Sequence, residues 1–212
     1  MEEQTNPTLA PYAKTGEVHF RVTAKAADEE TAGKLMEPML QELKKRFGNY
    51  IFTMDENVTM EESIVDLLKE KQMTVTTAES CTGGLLSGRI LNVPGASAVY
   101  KEGYITYSNE AKEKLLGVSH ETLETYGAVS YETAREMAAG AARSAGADVA
   151  LAVTGIAGPD GGTKEKPVGL VYIGCIYGDK KLCKKVLMRD VNRKWNRHYT
   201  LLSMLDMINK NI

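Results

Sequence analysis

Between Asp148 and Thr154 stands the run Val-Ala-Leu-Ala-Val, apolar at every position. It is too short for a helix, and without alternation it offers no face to water. It therefore reads as a strand covered on both sides. Leu170–Tyr177 and Lys184–Met188 read as further strands, as do Met73–Ala78 and Tyr104–Tyr107. Segments of 3.6-residue periodicity lie between them. Met60–Lys71 turns Ile64, Leu67 and Leu68 inward and opens on a Thr59-x-x-Glu62 capping box. Helices are also predicted over Gly83–Leu91, Glu110–Leu116, Tyr131–Ala145 and Arg193–Asn209, the last with Trp195, Leu201, Leu202, Leu205 and Ile208 inward. Covered strands alternating with helices predict an α/β fold, a three-layer α/β/α domain with a largely parallel mixed sheet over residues 57–212.

Residues 1–56 form a smaller piece. Met1–Gly16 is polar, carries Asn6-Pro7 and Ala10-Pro11, shows no period and reads as an extended arm. Val18–Ala24 alternates as a half-buried strand. From Asp28 a helical stripe runs through Ala32, Leu35, Met36, Met39, Leu40 and Leu43 to a closing Gly48, and Tyr50–Thr53 reads as a second strand. A βαβ unit of this size is an accessory module.

Composition narrows the chemistry. Residues 57–179 carry 10 Lys/Arg against 16 Asp/Glu, whereas residues 180–212 carry 9 against 2, net +7. The acidic body disfavours a broad nucleic-acid footprint, and the basic end suits an anionic small molecule. Three cysteines, Cys81, Cys175 and Cys183, are too few for a disulfide framework and point to a reducing cytoplasm. His19, His120 and His198 are scattered, so no metal site is expected. No run reaches the ~18 apolar residues of a membrane span.

Two strand ends stand out, since ligands in open α/β sheets sit at the carboxyl ends of strands. The first is Thr76-Thr77-Ala78-Glu79-Ser80-Cys81-Thr82-Gly83-Gly84; the second is Val153-Thr154-Gly155-Ile156-Ala157-Gly158-Pro159-Asp160-Gly161-Gly162. In the first, Ser80 or Thr82 is either a helix N-cap or a nucleophile beside backbone donors suited to an oxyanion. The turn lacks the Gly-x-Ser-x-Gly of an α/β-hydrolase and the lysine of a P-loop. In the second, Thr154 is placed to donate its hydroxyl into the crevice. Serine needs a base, and no histidine lies near either turn. A desolvated Lys112 can be that base, with Tyr107 relaying or orienting the proton. Cys81 is the rival nucleophile. Arg193 and Arg197, four apart, share one face of a helix start, where their guanidinium groups are either solvated or hold a phosphate.

Four segments, in order, carry a resemblance: Thr77-Ala78-Glu79-Ser80-Cys81-Thr82-Gly83-Gly84, Thr106-Tyr107-Ser108-Asn109-Glu110-Ala111-Lys112, Tyr126-Gly127-Ala128-Val129-Ser130 and Thr154-Gly155-Ile156-Ala157-Gly158-Pro159-Asp160-Gly161-Gly162. They resemble the C-terminal domain of the CinA (competence/damage-inducible) family, the nicotinamide-nucleotide amidase. Asn6–Val18 resembles the family's small KH-like middle module, here without the Gly-x-x-Gly loop of RNA-binding KH domains. Full-length members begin with a molybdopterin-binding-like domain linked to a pyrophosphatase. This chain lacks it and reads as a truncated member, to which that activity does not extend.

The resemblance implies cofactor-free hydrolysis of the carboxamide of nicotinamide mononucleotide to nicotinic acid mononucleotide and ammonia; a homodimer is expected as for other small α/β enzymes. It implies Ser80 as nucleophile, Lys112 as base and Tyr107 as third member of a Ser–Tyr–Lys arrangement. Thr82, Gly83 and Gly84, then Thr154, Gly155, Ala157 and Gly158, then Arg193 and Arg197, match substrate-binding positions. One stretch departs from the pattern: Asp190-Val191-Asn192-Arg193 stands where a Gly-Asp-Arg-like approach is expected. The alternative function is a catalytically silent nucleotide-binding module.

Overall fold

A computed structural model describes residues 5–188 and 192–212. The chain divides into two compact units, with the boundary between Val58 and Thr59.

The first unit is ββα. Strands β1 (Thr8–Lys14) and β2 (Glu17–Thr23) form an antiparallel hairpin, followed by helix α1 (Glu29–Phe47) and a 3₁₀ turn over Gly48–Tyr50. The expected βαβ order is thus corrected: the segment read as an arm is β1, and Tyr50–Thr53 joins no sheet. Alternation failed to reveal β1 because most of its residues are exposed. A two-stranded ribbon has a free edge on each strand, so Pro11 is tolerated there. Gly16, at φ 87°, makes the tight return, and Asn6 closes the open end by pairing both polar atoms of its amide with the backbone of Lys25 at 2.9 Å. Asp28 caps α1, its Oδ1 accepting from Thr31 N–H at 2.7 Å.

The second unit is a five-stranded sheet in the order β4-β3-β5-β6-β7. Its elements follow the chain as α2 (Met60–Glu70), β3 (Val75–Glu79), α3 (Leu85–Leu91), β4 (Tyr100–Ile105), α4 (Asn109–Leu116), α5 (His120–Tyr126), α6 (Tyr131–Ala145), β5 (Val149–Gly155), β6 (Leu170–Tyr177), β7 (Lys180–Leu187) and α7 (Arg193–Asn211). The mixed sheet is parallel across β4-β3-β5 and antiparallel across β5-β6-β7. It is therefore less parallel than expected. Parallel neighbours need a crossover, usually a helix, and neither the β5–β6 loop nor the Gly178-Asp179 turn supplies one.

Two cores make three layers. One holds Ile64, Leu68, Leu86, Ile90, Leu201, Met204 and Leu205 from α2, α3 and α7 against Leu151, Val153 and Ile173. The other sets Leu116, Leu123, Met137 and Ala138 from α4, α5 and α6 against Ala78, Ala150 and Ala152. The paired lysines of the basic end, Lys180, Lys181, Lys184 and Lys185, are exposed on edge strand β7, where charge discourages further strand pairing.

Helix α6 approaches the sheet closely. A Cβ on Gly174 would sit 2.3 Å from the carbonyl oxygen of Ala134, which is backbone and cannot swing aside. Gly174→Ala is therefore expected to destabilise the fold by about 1–3 kcal/mol. A urea midpoint equal to that of the parent would refute this packing account.

Candidate active site

Strand β3 and its parallel neighbours β4 and β5 end close together: Ser80 and Thr106 leave the sheet side by side, and β5 runs on to Gly155 beside them. Ser80 N–H donates to the Val153 carbonyl at 3.1 Å, and Thr106 N–H donates to that of Glu79 at 2.9 Å. Ser80 is buried, so its hydroxyl is held beneath the surface at the ends of these strands.

Lys112 comes to it from α4. Capping of that helix by Ser108, whose Oγ accepts from Ala111 N–H at 3.2 Å, sets where the helix begins and hence where Lys112 points. The Lys112 side chain is 1% exposed, and its Nζ lies 3.4 Å from Ser80 Oγ. The same Nζ donates to the carbonyls of Thr106 at 2.9 Å and Tyr107 at 3.2 Å. No ion pair among the described residues involves Lys112. Burial, the dominant influence, pulls its pKa below that of an ordinary lysine, against the opposing fields of Cys81 and Glu110. The pair needed for serine activation without histidine is present.

The Tyr107 hydroxyl is not brought to this pair, a correction to the Ser–Tyr–Lys expectation. Strand β4 ends at Ile105, so Tyr107 lies in the loop before α4 with its side chain 64% exposed. Its carbonyl takes part in holding Lys112, while its hydroxyl accepts from Arg193 Nη2 at 3.4 Å. Cys81 is the weaker candidate: Lys112 Nζ bonds Ser80 Oγ and not the thiol, and burial pushes that thiol up to about 11.

The remaining positions divide between support and site. Thr154 Oγ1 donates to the Ala128 carbonyl at 2.6 Å, tying β5 to the Tyr126–Ser130 turn instead of facing the crevice. Gly155 and Gly158 are required by packing, since a Cβ would lie 2.7 Å from Val171 Cγ2 in the first and 2.5 Å from Val168 Cγ1 in the second. Gly83 and Gly84 adopt φ of 59° and 92°, the left-handed region that turns the chain from β3 into α3. Both arginines at the start of α7 grip loops of the site. Arg193 Nη1 donates to the Gly158 carbonyl at 2.9 Å, and Arg197 Nη2 donates to that of Thr82 at 2.7 Å. Between them Asn196 donates to the Ala157 carbonyl at 3.0 Å. Residues 189–191, where the sequence departs from the family pattern, lie outside the described residues.

Sequence reasoning missed Glu79, Thr106 and Asn196. Glu79 is completely buried, and its carboxylate accepts from the N–H groups of Gly84, Leu86 and Ser87 at 2.9, 3.2 and 2.9 Å. The donors at the start of α3, expected to face a ligand, are thereby occupied. No backbone oxygen among the described residues accepts from the N–H groups of Cys81 and Thr82, the Cys81 N–H interacting only with its own thiol. The signal for Glu79 was available: a carboxylate at the end of an otherwise uncharged strand has to be satisfied by something.

Of the five buried side-chain polar atoms without a hydrogen-bond partner among the described residues, four surround this crevice: Thr82 Oγ1, Thr106 Oγ1, Asn196 Oδ1 and Arg197 Nε. The fifth, Glu61 Oε1, is charge-paired with Arg89. Unpaired buried polar groups are costly, and their concentration beside Ser80 and Lys112 marks a place built to meet a polar molecule. The glycine-rich loop also walls a shallow concavity lined by Pro159, Asp160, Gly161 and Val168, which neither Ser80 nor Lys112 lines. Among the described residues no helix is long and apolar enough to cross a membrane, and no cluster of three His, Cys, Asp or Glu could hold a metal ion.

Comparison with known proteins identifies the family. Residues 57–212 match the CinA C-terminal domain, and residues 1–53 match the damage-inducible protein CinA KH domain. A putative competence-damage inducible protein of Clostridium novyi is 52% identical over 213 residues, covering 100% of this chain and 51% of the relative. A CinA-like protein of Kosmotoga olearia is 52% identical over 198 residues, covering 93% and 48%. The chain thus spans about half the length of the curated relatives it matches. Among solved structures, the competence/damage inducible protein CihA of Agrobacterium tumefaciens is 43% identical with a TM-score of 0.69, covering 70% of this chain and 91% of that one. A CinA superfamily protein of Escherichia coli is 30% identical with a TM-score of 0.67, covering 77% and 97%. With its family domain matched over most of its length and relatives half identical along the whole chain, the chain belongs to the CinA family.

Proposed function

We propose that this protein hydrolyses the carboxamide of nicotinamide mononucleotide, giving nicotinic acid mononucleotide and ammonia. The observation that carries the reading is the buried Lys112 Nζ, 3.4 Å from a buried Ser80 Oγ and with no carboxylate paired to it. A lysine so placed loses its proton more readily than one in water and can take the serine proton, as general-base activation requires. The substrate assignment follows from the family likeness of the four strand-end motifs.

In this mechanism Ser80 Oγ attacks the carboxamide carbon while Lys112 receives its proton. The oxyanion is met by the Cys81 and Thr82 N–H groups, two backbone donors of the turn that no backbone oxygen occupies. Lys112 then passes its proton to the departing nitrogen, ammonia leaves, and water hydrolyses the acyl-serine. The spare guanidinium donors of Arg193 and Arg197 face the phosphate; each arginine has five N–H groups and spends only one or two on the protein.

Ammonia release from nicotinamide mononucleotide is the direct test, with nicotinamide riboside, which lacks the phosphate, as comparison. Turnover of neither compound would overturn the reading. Tyr107, at the rim with Arg193, contacts the bound nucleotide in this scheme. Tyr107→Phe is therefore expected to raise KM severalfold with kcat retained. Loss of kcat by the 10²–10⁴-fold typical of a proton-transfer group would instead restore Tyr107 as a relay.

A further inference from the structure

The buried carboxylate of Glu79 has no part in the proton transfers above, yet it is the most heavily bonded group beside Ser80. Its Oε2 accepts from Gly84 and Leu86, and its Oε1 accepts from both the N–H and the hydroxyl of Ser87, the latter at 2.8 Å. Ser87 Oγ is held in turn by the Tyr100 hydroxyl at 2.8 Å and lies 2.8 Å from Thr77 Oγ1. Thr77 Oγ1 and Tyr100 Oη are themselves 2.7 Å apart. Gly103 leaves room for this cluster, since a Cβ there would sit 1.9 Å from Tyr100 Oη. The backbone of Glu79 reaches the other half of the pair: its carbonyl accepts from Thr106 N–H, and the Thr106 carbonyl accepts from Lys112 Nζ.

We infer that Glu79 is a positioning residue for Ser80, its carboxylate fixing the start of α3 and through it the Ser80–Gly83 turn that precedes the helix, so that the nucleophile meets Lys112 and the Cys81 and Thr82 N–H groups stay available. Four donors converge on two oxygens, which offsets the cost of burying the charge. A glutamine of the same shape cannot replace it. Its single acceptor oxygen serves at most one pair of donors, and its NH₂ group confronts the other pair. The turn must then shift, and a misplacement on the order of 1 Å at a reacting atom costs up to about a hundredfold in rate.

The inference rests on the reading of Ser80 as nucleophile, and its test separates the two. Wild-type protein and Glu79→Gln are compared for the rate of Ser80 labelling by a fluorophosphonate, which needs no knowledge of the substrate. They are also compared for kcat and KM with nicotinamide mononucleotide and for thermal unfolding. The expected result is a fall of about tenfold or more in labelling rate and kcat, with KM within twofold. Wild-type labelling and kcat in Glu79→Gln, whatever its melting temperature, overturn the inference and leave Glu79 a structural cap. Should Glu79→Gln fail to fold, Ser87→Ala carries the test, since it removes one of the four donors and suits a helix. Its expected effect is a severalfold fall in labelling rate with the melting temperature little changed, and an unchanged rate overturns the inference. A wild type that labels at Ser80 but releases no ammonia overturns the substrate assignment alone. A wild type that does neither overturns both.

Discussion

Ser80→Ala is expected to reduce ammonia release from nicotinamide mononucleotide by about 10⁴-fold or more, the usual consequence of deleting a covalent nucleophile. Structurally the change is mild. The Ser80 N–H bond to Val153 and the clamp made by Glu79 do not use the serine hydroxyl, so the melting temperature should move little and the nucleotide should still bind. Cys81→Ala is the matched control. Its thiol is buried and no bond joins it to Lys112, and the replacement keeps the Cys81 N–H, so turnover should stay intact. Equal activity in Ser80→Ala and wild type, measured as ammonia released, would remove serine from the mechanism.

Lys112→Arg should be nearly as damaging, with kcat down by about 10²–10⁴-fold, because a guanidinium keeps its proton at any pH the protein survives. The pH profile is the sharper check. Burial lowers the Lys112 pKa, so the rising limb of kcat/KM should fall below the ~10.4 of a free lysine. A limb at or above that value would exclude Lys112 as the base. Stability carries the same sign. Between the lowered folded pKa and the ordinary unfolded one, the unfolded chain binds more protons than the folded protein. Unfolding free energy attributable to Lys112 therefore rises with pH through that window and is lowest below it. Lys112→Met removes the titration but strips a donor from the Thr106 and Tyr107 carbonyls, so it should lose about 1–3 kcal/mol of stability as well as activity.

Much of this was legible in the residues. The unbroken apolar run at Val149–Val153 placed the central strand, and the capping box at Thr59 and Glu62 placed the start of α2 to the residue. Ser80 and Lys112, 32 positions apart, could be paired from the chemistry serine needs, and the fold brings them within reach. The misreadings have a common cause. Tyr107 was assigned by continuing a strand that stops at Ile105, and Thr154 by assuming that a hydroxyl at a strand end faces the ligand. In both, a local pattern was extended past the point where a partner distant in sequence decides the direction: Arg193 for Tyr107, Ala128 for Thr154. The β1–β2 hairpin escaped notice for the opposite reason, having too little burial to impose a period.

The grip of Arg197 on the Thr82 carbonyl joins positions 115 apart in the chain. Synthesis at about 5–20 residues per second puts roughly 6–23 s between the emergence of those two partners from the ribosome. Once Lys112 has followed, the nascent chain holds Ser80 and Lys112 but not the helix that braces the Ser80 turn. Until α7 is made, that turn lacks the grip that Arg197 supplies.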